Sequence, residues 1–249
     1  MQRNLKFVFI LAFFFQFLNH SFSQPLNPNK RLTQYSLDYW GDDKGMVSGG
    51  VLSILQSRDG YLWMGTFNGV SRFDGVDFKN YNKANTPGIV NNGILTVLEN
   101  NDGEIWAGSN GGGISIISSD TVINLSTDDG LVNNTITVLE KGSNGDIYIG
   151  TRSGLSIYRN STFINYTSFY SGADTLNGIS VHSIYESPSN IIWIGTSNGL
   201  FQLVDDRLIR AADNGIKLND FEIFSILEDN NEELWIATFG DGLFKRNQK

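Results

Sequence analysis

The stretch Asp59-Gly60-Tyr61-Leu62-Trp63-Met64-Gly65-Thr66-Phe67-Asn68-Gly69-Val70-Ser71-Arg72-Phe73-Asp74-Gly75 decides the fold of this chain. Asp-Gly and Asn-Gly pairs cut it into short apolar runs. Asn-Gly between two such runs is a strong hairpin signal, because both residues tolerate positive φ. Val51 to Gln56, ahead of it, is apolar and β-prone, and Asp77 to Tyr81 behind it makes a further run. The spacing predicts a four-stranded antiparallel meander over 51–81.

The meander repeats. Its tetrad Trp63-Met64-Gly65-Thr66 returns as Trp106-Ala107-Gly108-Ser109, Tyr148-Ile149-Gly150-Thr151, Trp193-Ile194-Gly195-Thr196 and Trp235-Ile236-Ala237-Thr238, at intervals of 43, 42, 45 and 42 residues. A period of about 40–45 residues with β-type sequence is the signature of a propeller, one blade per repeat. The tetrad strand is apolar on both faces, as in Ile192-Trp193-Ile194, which suits a strand buried between stacked blades. Side chains two apart share a face. Trp63, Trp106, Tyr148, Trp193 and Trp235 are therefore expected in the core, each beside a small residue that leaves room for a bulky group of the adjacent blade.

The last repeat supplies three runs, Phe224 to Glu228, Leu234 to Thr238 and Leu243 to Arg246. Leu32-Thr33-Gln34-Tyr35 matches the fourth strands Phe78-Lys79-Asn80-Tyr81 and Phe163-Ile164-Asn165-Tyr166. The expectation is an all-β propeller of four-stranded antiparallel blades, five in number, closed by pairing the segment Leu32 to Leu37 with the last blade, which leaves no exposed edge. The competing reading is the opening part of a longer propeller.

Residues 1–23 read as a signal peptide: Arg3 and Lys6, an apolar run from Phe7 to Leu18, and Ser21-Phe22-Ser23 before Gln24. The run is shorter than the roughly 20 residues a membrane helix needs. Residues 24–249 read as one propeller domain, periplasmic or extracellular, with no further apolar segment long enough to span a membrane. The absence of cysteine fits export in a bacterium better than a disulfide-stapled secreted domain. A formal net charge of −8 repels phosphate backbones and excludes nucleic acid as a natural partner.

Enzyme motifs are absent: no Gly-x-Ser-x-Gly elbow, His-Glu-x-x-His helix, phosphate-binding loop or calcium loop occurs, and no cofactor is implied. His182 has no partner legible in the sequence. A propeller's functional groups sit where the innermost strands begin, and there only Asp220 and Glu222 are acidic, both on one blade. A glycosidase needs two carboxylates flanking its bond. The amides Asn92, Asn133, Asn134 and Asn177 at these positions can donate and accept hydrogen bonds, which suits hydroxyl-rich ligands; they equally suit turns and strand ends. Phe67 and Phe239 follow their tetrads, where exposed rings can stack on a sugar.

The repeat, with its Trp-Ile-Gly-Thr strand, Asn-Gly-Leu turn and Phe-x-x-Tyr strand, resembles the two-component regulator propeller family. Asp59 to Gly75, Ile191 to Leu200 and the connector Gly130-Leu131-Val132-Asn133-Asn134 carry the resemblance. It implies the periplasmic sensing region of hybrid two-component histidine kinases of the Bacteroidota type, many of which sense glycan breakdown products. Full receptors of that kind carry many more repeats, a sandwich domain, a membrane helix and a kinase, and no kinase sequence is present here. The resulting expectation is an exported sensor module that binds a small oligosaccharide and signals through a periplasmic or membrane partner. The alternatives are a protein-interaction scaffold or truncated receptor, and a glycan-active hydrolase or lyase.

Overall fold

The computed structural model describes residues 29–246 except 32, 34, 48–49, 212–217 and 219–220. The chain divides into two units, Met1–Tyr39 and Trp40–Lys249. The described residues of the first carry no strand. The expected leader, 1–23, lies outside the described residues, as do Leu32 and Gln34 of the expected closing strand; its described positions 33 and 35–37 are not extended into a sheet.

The second unit is a succession of antiparallel sheets in chain order. Blade 1 is β1 (Val51–Gln56), β2 (Leu62–Thr66), β3 (Gly69–Phe73) and β4 (Phe78–Tyr81). Blade 2 is β5 (Ile94–Glu99), β6 (Ile105–Ser109), β7 (Ile114–Ile117) and β8 (Val122–Leu125). Blade 3 is β9 (Ile136–Lys141), β10 (Ile147–Thr151), β11 (Gly154–Arg159) and β12 (Thr162–Tyr166). The innermost strands stand side by side, β1 next to β5, β5 next to β9, and so on through the innermost strands of blades 4 and 5.

Blade 4 departs from the expected meander. A hairpin, β13 (Ser168–Ser171) and β14 (Asp174–Asn177), precedes β15 (Val181–Glu186), β16 (Ile192–Thr196), β17 (Gly199–Val204) and β18 (Arg207–Arg210). Its first strand pairs in parallel with β18, through Phe169 opposite Leu208, so the sheet has six strands. Phe169 is fully buried in the core between blades 3 and 4. Blade 5 shows β19 (Ile223–Glu228), β20 (Leu234–Thr238) and β21 (Leu243–Arg246).

Each position of the tetrad has a physical task. The aromatic ring of blades 1 to 4 is buried against the following blade: Trp63 with Ile94 and Val97, Trp106 with Ile136 and Leu139, Tyr148 with Val181 and Ile184, Trp193 with Ile223 and Ile226. The glycine is a socket. A methyl group on Gly65, Gly108, Gly150 or Gly195 would lie 3.0 Å or less from a side-chain carbon of Ile94, Ile136, Val181 or Ile223, the first residue of the next inner strand. The hydroxyl closes the following hairpin: Thr66 Oγ1 donates to the Gly69 carbonyl at 3.0 Å and accepts from the Asn68 amide at 3.1 Å. Thr151, Thr196 and Ser109 repeat this clamp.

The two end blades present unfilled halves of the same junction. Ile54 of blade 1 is 65% exposed, whereas its register equivalents Val97, Leu139, Ile184 and Ile226 are all buried. Leu243 of blade 5 is 62% exposed, whereas Val70, Ile114, Leu155 and Leu200 are buried. Blade 5 also carries Ala237 where the other blades have the glycine socket, and Ala237 is only partly buried. Trp235 is likewise less enclosed than its counterparts and donates through Nε1 to Asp229 Oδ2 at 2.9 Å.

Candidate functional site

Every inner strand begins at the same end of its blade, here termed the upper end. There the amide following the tetrad donates to the carbonyl just before the inner strand: Asn110 to Gly93, Arg152 to Thr135, Ser197 to Ser180 and Phe239 to Glu222. One residue past its start each inner strand bulges, because the ladder skips Leu52, Leu95, Thr137, His182 and Phe224. A bulge re-aims the side chain it carries. These five residues therefore leave the ladder at the innermost edge, two of them as an imidazole and a phenyl ring on neighbouring blades.

Blades 4 and 5 make the best-formed group at this end. His182 stacks face to face on Phe224, with centroids 4.6 Å apart and planes 8° from parallel, and Phe224 meets Phe239 at 5.7 Å. Phe224 is 49% and Phe239 71% exposed, so the three rings form a stepped apolar ledge open to solvent. Glu222 Oε1 stands 3.5 Å from His182 Nε2, an electrostatic contact longer than a formed hydrogen bond. Burial pushes the His182 pKa below its ordinary value; the Glu222 carboxylate opposes this and the Arg152 charge adds to it. The imidazole is therefore neutral at neutral pH.

The sign of this shift gives a prediction. The unfolded chain takes up a proton on this histidine near pH 6.5, while the folded chain resists it. Stability is unaffected above that range and falls as pH drops through it toward the depressed folded value. Urea unfolding at pH 7 and pH 5.5 checks this: the loss is expected in the wild-type chain and reduced in His182→Gln.

The sequence-expected site residues divide into those the fold gathers and those it employs elsewhere. Glu222 and Phe239 belong to the ledge. Phe67 is 58% exposed at the upper end of blade 1. Asn92 accepts from the Lys83 amide at 2.8 Å. Asn134 accepts from the Thr127 amide and donates to the Thr127 hydroxyl. Asn133 accepts from the Thr135 amide and donates to Ser153 Oγ. These amides are occupied in holding connectors. Asn177 does not lie at an inner-strand start: it ends β14, where its Oδ1 accepts from Ser168 Oγ, because the extra hairpin takes up that stretch of chain. Asp220 lies outside the described residues. Phe224 was missed by sequence reading. Its signal was its position, one period after His182.

Residues 45–68 and 175–198 match the family model for the two component regulator propeller. A curated relative, histidine kinase P4 of Formosa agariphila, is 32% identical over 90 residues, covering 33% of this chain and 7% of the kinase. The extracellular domain of BT3049 of B. thetaiotaomicron, assigned to the hybrid two component systems, superposes with a TM-score of 0.66 at 26% identity, over 81% of this chain and 27% of that one. The chain thus spans a small part of the length of both. Virginiamycin B lyase from Staphylococcus aureus shares the fold alone, at 16% identity and a TM-score of 0.57 over 79% of this chain and 69% of the lyase. No helix among the described residues is long and apolar enough to cross a membrane.

Proposed function

We propose that the chain is an exported ligand-recognition module of a two-component signalling system, which binds a short oligosaccharide at the upper end of blades 4 and 5 and has neither kinase nor hydrolase activity of its own. One observation carries the reading: the His182–Phe224–Phe239 ledge with the Glu222 carboxylate at its side. The C–H face of a sugar ring packs on aromatic faces, and a carboxylate accepts from the hydroxyls at its edge. The likeness to the extracellular domain of a hybrid two component system and to a histidine kinase supports the signalling role. A binding role without chemistry is favoured by the single carboxylate described on this ledge, where glycoside hydrolysis needs a pair.

Thermal unfolding of the full chain with short cello-, xylo- and malto-oligosaccharides tests the proposal. A ligand at a hundred times its Kd stabilises the fold by about 2.7 kcal/mol. At least one of these sugars is expected to raise Tm, and Phe239→Ala or Glu222→Gln to abolish the rise without lowering the ligand-free Tm. A sugar-induced shift that survives both substitutions would place the site elsewhere, and no shift with any probe would remove the oligosaccharide reading.

A further inference from the structure

The hairpin that distinguishes blade 4 also makes a cleft. The chain leaves β12 at Tyr166 and enters β13 at Ser168, which belongs to the next blade's sheet. The open cleft has a volume of about 440 Å³ and is lined by Ile164, Tyr166, Thr167, Tyr170, Asp206 and Arg207 among others. That volume lies within the range of about 300–1,000 Å³ typical of small-molecule sites.

Its polar groups are of two opposite kinds set side by side. The Arg207 guanidinium lies over the Tyr170 ring, 4.0 Å from the centroid, and has no hydrogen bond or ion pair among the described residues. Asp206 Oδ1 accepts from the Tyr166 hydroxyl at 3.1 Å, and Oδ2 has no partner among the described residues. Burial, then the bond to Asp206 and its charge, pushes the Tyr166 pKa up to about 12, so this hydroxyl stays a donor. Arg159, the other cation on the wall, is committed to Asp146 at 2.9 Å. Asp205 and Asp206 both have positive φ, at 46° and 56°, in the tight turn between β17 and β18. The turn thereby presents a carboxylate and a guanidinium on consecutive residues, beside a tyrosine ring and the partly exposed Ile164.

A free anion would meet Asp206, and a free cation would meet Arg207. A 1,2-diol satisfies both groups at once: one hydroxyl donates to Asp206 Oδ2 while its neighbour accepts from Arg207, and both bonds are charge-assisted. We propose that the cleft between blade 3 and the blade 4 hairpin is a second binding site, which takes the vicinal diol of a neutral sugar ring through Asp206 and Arg207. This site is separate from the upper-end ledge and does not depend on it.

The test titrates methyl α-D-mannoside and methyl β-D-glucoside, with D-glucuronate alongside, into the full chain carrying ring-labelled tyrosine, and follows the Tyr170 resonance, assigned with Tyr170→Phe. A saturable shift with a neutral glycoside is expected below about 50 mM, with Arg207→Ala and Asp206→Asn each weakening it by about tenfold or more. Phe239→Ala should leave it unchanged, which separates this site from the ledge. Circular dichroism of each variant confirms that it has folded. No saturable shift, or a shift indifferent to both substitutions, would overturn the proposal. So would glucuronate binding that is tighter than the glycosides and strengthened by Asp206→Asn, since that is the behaviour of an anion site.

Discussion

Leu155→Ala is expected to destabilise the full chain by about 2–5 kcal/mol, and Leu243→Ala by less than about 0.5 kcal/mol. The two leucines occupy the same register position, opposite Gly150 in blade 3 and Ala237 in blade 5. Leu155 is wholly buried and packed with Tyr148, Val181 and Phe201, so truncation loses its transfer free energy and leaves a cavity. Leu243 faces solvent, and truncating it removes surface that folding never buried. For a domain of this size each kcal/mol moves Tm by roughly 2–4 °C, so the two melting curves should separate clearly. A large loss on truncating Leu243 would mean that its face is covered in solution, and that the last blade is not an end.

Gly108→Ala should be nearly as damaging, and through crowding rather than loss. The added methyl would stand 2.6 Å from Ile136 Cγ2 and 2.7 Å from Thr96 Cγ2, closer than carbon atoms approach without displacement. Overpacking of this kind costs about 1–3 kcal/mol. Ile136→Ala alone leaves a cavity at the junction of blades 2 and 3. Ile136 belongs to the cluster formed there with Trp106 and Leu139. Together the two changes should cost less than their sum, because the new methyl partly occupies the space the isoleucine vacates. A double-mutant cycle by urea unfolding measures that coupling. Strict additivity would refute the socket account of the tetrad glycine. The last tetrad carries Ala237 at the equivalent position, and there the methyl group is only partly buried.

The blades were legible because the same forces act on each repeat. Period, paired turn residues and two-faced apolar strands located β1, β20 and β21 to the residue. The β13–β14 hairpin was not legible. Asp174-Thr175-Leu176-Asn177 has little apolar alternation, and the parallel pairing of β13 with β18 leaves no connecting turn in the sequence. Its only trace was an interval of 45 residues in place of 42 or 43. Asn92, Asn133 and Asn134 were ambiguous for a reason inherent in the amide, which serves a connector as readily as a ligand; only the hydrogen-bond partners show which use the fold makes of it. The His182–Phe224 stack was within reach, since residues one period apart in adjacent repeats become neighbours when blades stack.

The exposed Ile54 of blade 1 and Leu243 of blade 5 bear on how cohesion is distributed along the chain. Among the described residues, blades 2, 3 and 4 each share an apolar junction with two other blades, whereas blades 1 and 5 share one. In a repeat array the stability of each unit is its own contribution plus those of its contacts with adjacent units. Local opening therefore starts at the outer blades and meets its greatest resistance in blade 3. The upper-end ledge belongs half to blade 4 and half to blade 5, so a sugar spanning Phe239 and His182 would act as an added fastening across one of the two outermost junctions.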